Sequence, residues 1–203
     1  QLNRYMEFEF RVKDPGFSPI PKYSYVYPVT TGLTQTRGTW TLGPDVVVAS
    51  VVSVSGGRPT ALLEYNPGSF YQEVEIVAAV QTGAGTIPAG IGRGKYASGH
   101  WSGIAGFILP GQGKAQIRKY TSDSFVVLAE KKGLNLSGTH RLTLNISKAK
   151  NKFYWDENPD HFLTAEDCTY TEGYAYCMTE GAAAGAFFVR GFSVEDKHQD
   201  YLT

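Results

Sequence analysis

An all-β sandwich of two antiparallel sheets is the fold this sequence predicts, on three observations. Apolar and polar residues alternate with a period of two through about a dozen short segments, the spacing of side chains along a strand. Helical periodicity is nearly absent. Gly (23) and Pro (10) are spread through the chain as turn residues, with no linker and no internal repeat, so residues 1–203 read as one domain.

The segments follow in order. "YMEFEFRVK" sets Phe8, Phe10 and Val12 against Glu7, Glu9 and Arg11, and "KYSYVYPV" puts Tyr23, Tyr25 and Tyr27 on one face. "DVVVASVVSV" and "TALLEY" come next. In "FYQEVEIVAAV", strict alternation assigns Phe70, Gln72, Val74, Ile76 and Ala78 to one face and Tyr71, Glu73 and Glu75 to the other. "IPAGIGRGKYASGHWSG" is the most loop-like stretch, and "SGIAGFIL", "KAQIRKY", "SFVVLAEK", "HRLTLNISK" and "NKFYWDE" read as strands after it. "HFLTAEDC" predicts one short helical turn, and "YAYCMT" and "AFFVRGFSVED" close the series. "SGGRP", "NPGS", "LPGQGK", "TSDS" and "ENPD" carry turn chemistry between them. A closed barrel is the alternative; the sandwich is favoured because "GIAGFIL" and "DVVVASVV" are apolar on both faces.

Charge and cysteine usage narrow the class. Nineteen Lys and Arg balance nineteen Asp and Glu, so nothing global argues for nucleic acid or a membrane surface. No apolar run approaches the roughly 18 residues of a membrane helix, and no leader-type apolar segment opens the sequence. Cys168 and Cys177 stand close together in "EDCTYTEGYAYC". In an exported chain they predict a disulfide worth roughly 2.5–3 kcal/mol; in a reducing cell they would be two thiols. Sequons at Asn135 and Asn145 point the same way. The expectation is a secreted glycoprotein.

The succession "FYQEVEIVAAV", "SGIAGFIL", "KAQIRKY", "SFVVLAEK", "GTHRLTLNISKAKNKFYWDEN" and "AFFVRGFSVED" resembles the concanavalin-like jelly roll of laminin-G-type modules, lectins, glucanases and some polysaccharide lyases. The likeness runs from "WTLGPDVVVAS" to the last of these segments and is one of fold. It implies that "HRLTLNIS…KFYWDE" is a hairpin and that the last strand pairs near the first. It also implies that a structural calcium is a frequent companion, for which Asp156, Glu157 and Asp160 supply hard oxygen donors. The glucanase pattern of three acids on one strand is not met, because Ala78 stands in the third place. Zinc is not indicated, since the cysteines and histidines lack ligand spacing.

Candidate chemistry lies on the polar faces. Glu73 and Glu75, two apart on a strand, have Cα atoms about 6.5–7 Å apart, within reach of either glycosidase geometry. Tyr23, Tyr25 and Tyr27 offer a flat strip for sugar rings. Arg93, Lys95, Tyr96, His100 and Trp101 sit among the glycines of residues 87–103, where backbone can approach a ligand closely. Lys114, Gln116, Arg118 and Tyr120 share one face of "KAQIRKY", and an Arg there can grip a carboxylate or sulfate. If Tyr71, Glu73, Glu75, Arg118 and Tyr120 open into one hollow, they form a polar floor for a sugar.

Three readings follow. The leading one is a lectin-like module binding a glycan over one sheet face, through Tyr71, Arg93, Lys95, Tyr96, Trp101, Gln116 and Arg118. The second is a polysaccharide-degrading enzyme, hydrolase or lyase, with Glu73 and Glu75 or His100 and Tyr120 moving protons. The third is a receptor-binding or adhesion domain with a host-protein partner.

Overall fold

Fifteen strands carry the fold in the computed structural model, which describes residues 23–25, 32–42, 46–50, 58–68, 70–82, 87–148, 150–167, 169–181 and 187–197. In chain order they are β1 (Tyr23–Tyr25), β2 (Leu33–Arg37), β3 (Thr39–Thr41), β4 (Val46–Ser50), β5 (Ala61–Tyr65), β6 (Val74–Thr82) and β7 (Ala89–Ala97). There follow β8 (His100–Leu109), β9 (Lys114–Thr121), β10 (Ser124–Lys132), β11 (Thr139–Ile146), β12 (Asn151–Trp155), β13 (Phe162–Ala165), β14 (Tyr174–Thr179) and β15 (Phe187–Asp196). One sheet has the order β13-β12-β11-β6-β15-β4-β3, with β1 also on β15; the other runs β10-β9-β8-β7-β14-β5-β2. Among the described residues every pairing is antiparallel, giving the two-sheet sandwich that the alternation predicts and the jelly-roll order that the resemblance implies. The "HRLTLNIS…KFYWDE" hairpin forms with Ile146 opposite Asn151, and the last strand meets β1 at Tyr23↔Val194. "YMEFEFRVK" and Tyr27 lie outside the described residues, as do the side chains of Tyr23 and Tyr25.

Hydrocarbon from both sheets fills the space between them. Val74, Ile76, Ala78 and Val80 of β6, Leu142 and Leu144 of β11, and Phe153 and Trp155 of β12 meet Ile91, Ile104, Ile108, Ile117 and Cys177 of the other sheet. Burying each large apolar side chain contributes about 1.5–3 kcal/mol.

Two hairpin turns use paired left-handed residues, the geometry that matches strand twist. Ser98 and Gly99 (φ 53° and 82°) join β7 to β8, and Ser122 and Asp123 (φ 47° and 69°) join β9 to β10. The glycine-rich stretch is therefore strand up to Ala97, not loop. "HFLTAEDC" also departs from expectation. Its Phe162–Ala165 pairs with β12, Leu163 opposite Phe153, because the ladder outweighs weak helical propensity in so short a segment. β2 and β3, which carry the polar "LTQTR" and "TWT", show no apolar alternation in their sequence.

The alternation expected for "FYQEVEIVAAV" breaks at its start. Tyr71 bridges Gly173 beside β14 of one sheet, whereas β6 belongs to the other. Residues 72 and 73 bend between them, so the phase resets. Tyr71 is buried with Val74, Ile76 and Ala78, and Phe70 turns outward.

Cys177 is a free, fully buried thiol, so the expected disulfide is not formed; Cys168 lies outside the described residues. Between the sheets, burial pushes the Cys177 thiol far above its ordinary range. Iodoacetamide is expected to leave Cys177 unmodified in the native protein and to alkylate it after unfolding without reductant. Peptide mass spectrometry reads the difference.

Candidate functional site

The hollow anticipated from sequence is divided and filled. Glu75 stands on β6 of the eight-stranded sheet, and Arg118 and Tyr120 stand on β9 of the seven-stranded one. Tyr71 lies in the core. The outer face of the seven-stranded sheet, where Gln116, Arg118 and Tyr120 do point together, is itself covered. Trp101, Phe107, Tyr120, Tyr176, Leu62 and Met178 are fully buried there. The glycines of β7 are the reason. A Cβ at Gly90 would come within 2.5 Å of the Phe107 ring, and one at Gly94 within 2.7 Å of the Trp101 indole. Those glycines admit the protein's own aromatic rings, not a ligand.

Chain also closes over this face from the β5 side. The Arg58 amide donates to the Asp123 carbonyl (3.1 Å), and Arg37 donates to Pro59 O and to the Asp123 carboxylate (2.8 Å). The Trp101 amide and His100 Nδ1 bond the same carboxylate at 2.8 and 2.9 Å. Burial alone would raise the Asp123 pKa, but these bonds from Arg37, Trp101 and His100 hold it below the usual carboxylate range. Underneath, Arg118 Nη1 lies 2.8 Å from Glu180, and the Tyr120 hydroxyl donates to the same carboxylate at 2.6 Å. Burial and the Glu180 charge push that hydroxyl far above its ordinary range. Tyr120 is thus a buried structural donor, not a proton carrier, and Arg118 and Gln116 are its neighbours in a closed network.

Of the remaining acid–base candidates, Glu73 and Glu75 stay together beside Lys197, apart from His100. Glu73 accepts the Lys148 amide at 3.2 Å, Glu75 sits 3.8 Å from Lys197, and His100 is at the far turn bonded to Asp123. Of the side chains named as calcium donors, those of Asp156 and Glu157 are engaged with protein groups. Asp156 already holds His140 (2.7 Å) and the Arg141 amide (3.1 Å), and Glu157 pairs with Arg141 (3.0 Å). Asp160 receives Lys131 on its main-chain carbonyl. Among the described residues no three His, Cys, Asp or Glu side chains converge.

Among the described residues the fold leaves open a cleft of about 250 Å³, lined by Lys95, Ser102, Thr169, Tyr170, Thr171 and Glu172, and a second of about 220 Å³ on the eight-stranded sheet beside Glu73, Lys150, Lys152 and Lys197. To the first, β7 and β8 supply Lys95 and Ser102, and the segment leading into β14 supplies the rest. Lys95 Nζ pairs with Glu172 at 2.7 Å and sits 4.0 Å above the Phe70 ring. Phe70 in turn lies 4.5 Å from Tyr174, tilted by 39°. Phe70 is 38% exposed, against complete burial of Trp101. The cleft therefore continues into an open aromatic rim.

Arg93 holds this rim in place. Almost wholly buried, it donates to the carbonyls of Gln72 and Tyr170, one on each wall. Burial brings its guanidinium down to about 10, with Glu73 and Glu172 opposing that shift. Tyr71 and Gly173 exchange two main-chain bonds (2.9 and 3.0 Å) beneath Phe70. Arg93 and Tyr71, expected as ligand contacts, are buried and bonded to main chain; Lys95 is at the cleft, and Tyr96 is half-buried under Arg37. Phe70 is not legible from sequence because the bend at residues 72 and 73 reverses the way it faces, and Tyr170, Glu172 and Tyr174 because only the pairing of β14 with β7 brings them here.

No known family profile matches this chain, and no curated protein matches its sequence. Solved structures do. The carbohydrate-binding module CBM66 from Bacillus subtilis superposes with a TM-score of 0.59 at 15% identity, over 81% of this chain and 96% of that one. The VIP36 exoplasmic/lumenal domain, in its Ca2+/Man-bound form, gives 0.65 at 10% identity over 89% and 92%. The CBM2 module of the evolved Dit of Lactobacillus casei BL23 phage J-1 gives 0.54 at 13% over 89% and 96%. At these identities the likeness shows the fold: the concanavalin-like jelly roll.

Proposed function

We propose that this chain is a carbohydrate-binding module whose ligand occupies the cleft between Lys95, Ser102 and residues 169–172 and rests on the Phe70–Tyr174 rim. The observation that carries the reading is an exposed Phe70 ring, packed on the half-buried Tyr174 and under Lys95, beside a hydroxyl-lined cleft that Lys95 also lines. Sugar rings present C–H faces that pack on aromatic rings and hydroxyls that need donors and acceptors. Ser102, Thr169, Tyr170 and Thr171 offer hydroxyls, Lys95 donates, and Glu172 accepts. The named carbohydrate-binding modules and mannose-bound VIP36 among the fold neighbours support the same class of ligand.

Affinity electrophoresis in gels containing polysaccharide tests it. Phe70→Ala and Tyr174→Ala are each expected to weaken retardation about tenfold or more, or about 1.4 kcal/mol; Phe70 is exposed, and circular dichroism checks that the half-buried Tyr174 can be removed with the fold retained. Retardation unchanged in the double variant contradicts the site. Trp101 and Arg118 are unsuitable targets, since their removal opens the core.

A further inference from the structure

From the charge arrangement of the cleft, and resting on the carbohydrate reading above, we infer that its ligand is a neutral sugar and that Glu172 is the residue that rejects uronic or sulfated ones. The cleft's accessible cation, Lys95, is already matched by Glu172 at 2.7 Å, each side chain a little over 40% exposed. The next cation on the same wall, Lys119, is matched by Asp167 at 2.8 Å. Arg93 lies behind the wall with two of its donors spent on carbonyls. The exposed Glu166 adds a further negative charge to the same segment.

An anionic sugar entering here meets a balanced pair, so any gain from Lys95 is offset by repulsion from Glu172. A neutral sugar loses nothing. Adjacent hydroxyls can accept from Lys95 and donate to Glu172 at once, replacing water on both groups while the pair stays matched. The guanidinium that sequence alone offered for gripping an acidic sugar, Arg118, is buried against Glu180.

Native gels separate the outcomes. The wild-type protein and Glu172→Gln are run in neutral polysaccharides (mannan, xylan and a β-glucan) and in uronic ones (polygalacturonate and alginate). The wild type is expected to be retarded by at least one neutral polymer and not by the uronic ones. Raising NaCl from about 0.05 to 0.5 M is expected to leave that retardation unchanged, because no net charge is being screened. Glu172→Gln frees Lys95 and is expected to raise affinity for polygalacturonate about two- to five-fold, in a salt-sensitive way. Wild-type preference for the uronic polymers overturns this inference but leaves the carbohydrate reading standing, as does a Glu172→Gln variant with no gain. Absence of retardation in every polymer overturns both.

Discussion

Glu180→Ala is expected to destabilise the protein by about 3–5 kcal/mol, the loss that follows when one member of a buried ion pair is left without the other. Glu180 and Arg118 are both about 2–3% exposed, 2.8 Å apart. Removing the carboxylate leaves the Arg118 guanidinium among Phe107, Phe125 and Tyr120 with only the Gln116 and Tyr120 oxygens to bond. The half-exposed Arg58, 3.5 Å from the same carboxylate, loses little, since solvent screens it. The double change Arg118→Met with Glu180→Leu is expected to recover most of the loss, because no charge then remains in the face. Urea unfolding of the wild type and the two variants measures this; equal losses in single and double variants would place the cost in shape rather than in charge.

Gly94→Ala is the second large effect, expected to cost about 3 kcal/mol or to prevent folding, at the upper end of what overpacking does. The added Cβ would sit 2.3 Å from the Ser102 carbonyl and 2.7 Å from the Trp101 indole. The first obstacle is backbone of the adjacent strand, which cannot swing aside. Gly191→Ala is the control, with its nearest neighbour at 3.8 Å and no left-handed backbone demand, and is expected to change stability by less than about 0.5 kcal/mol. Thermal unfolding of both distinguishes a tight floor for the indole from a general intolerance of side chains at glycine.

The strands and their sandwich arrangement were legible because alternation is a local property: Leu142 and Leu144, or Ile104 and Ile108, announce a buried face from a few residues. Which polar face meets water was not legible. Gln116, Arg118 and Tyr120 share a face as expected, yet that face is closed by partners far along the chain, Glu180 at 62 residues' separation from Arg118 and Arg37 at 86 from Asp123. The glycine spacing of β7 reads equally well as a loop for a ligand or as a floor for large rings, and only the cross-strand placement of Phe107 and Trp101 decides. The candidate rim depends on the crossing at residues 72 and 73, where one bend reverses the side on which Phe70 and Tyr71 emerge. Lys95 was found from sequence for its position near the hairpin; its partners Phe70 and Glu172 are brought to it only by the folding of β14 against β7.

Amide chemical-shift mapping with a neutral oligosaccharide cut from whichever polymer retards the protein tests the proposed site most directly. Perturbations are expected at Phe70, Lys95, Ser102 and Thr169–Tyr174, with the opposite end of the molecule unchanged. Perturbations gathered instead around Lys150, Lys152 and Lys197, the second cleft beside Glu73 on the eight-stranded sheet, would contradict it.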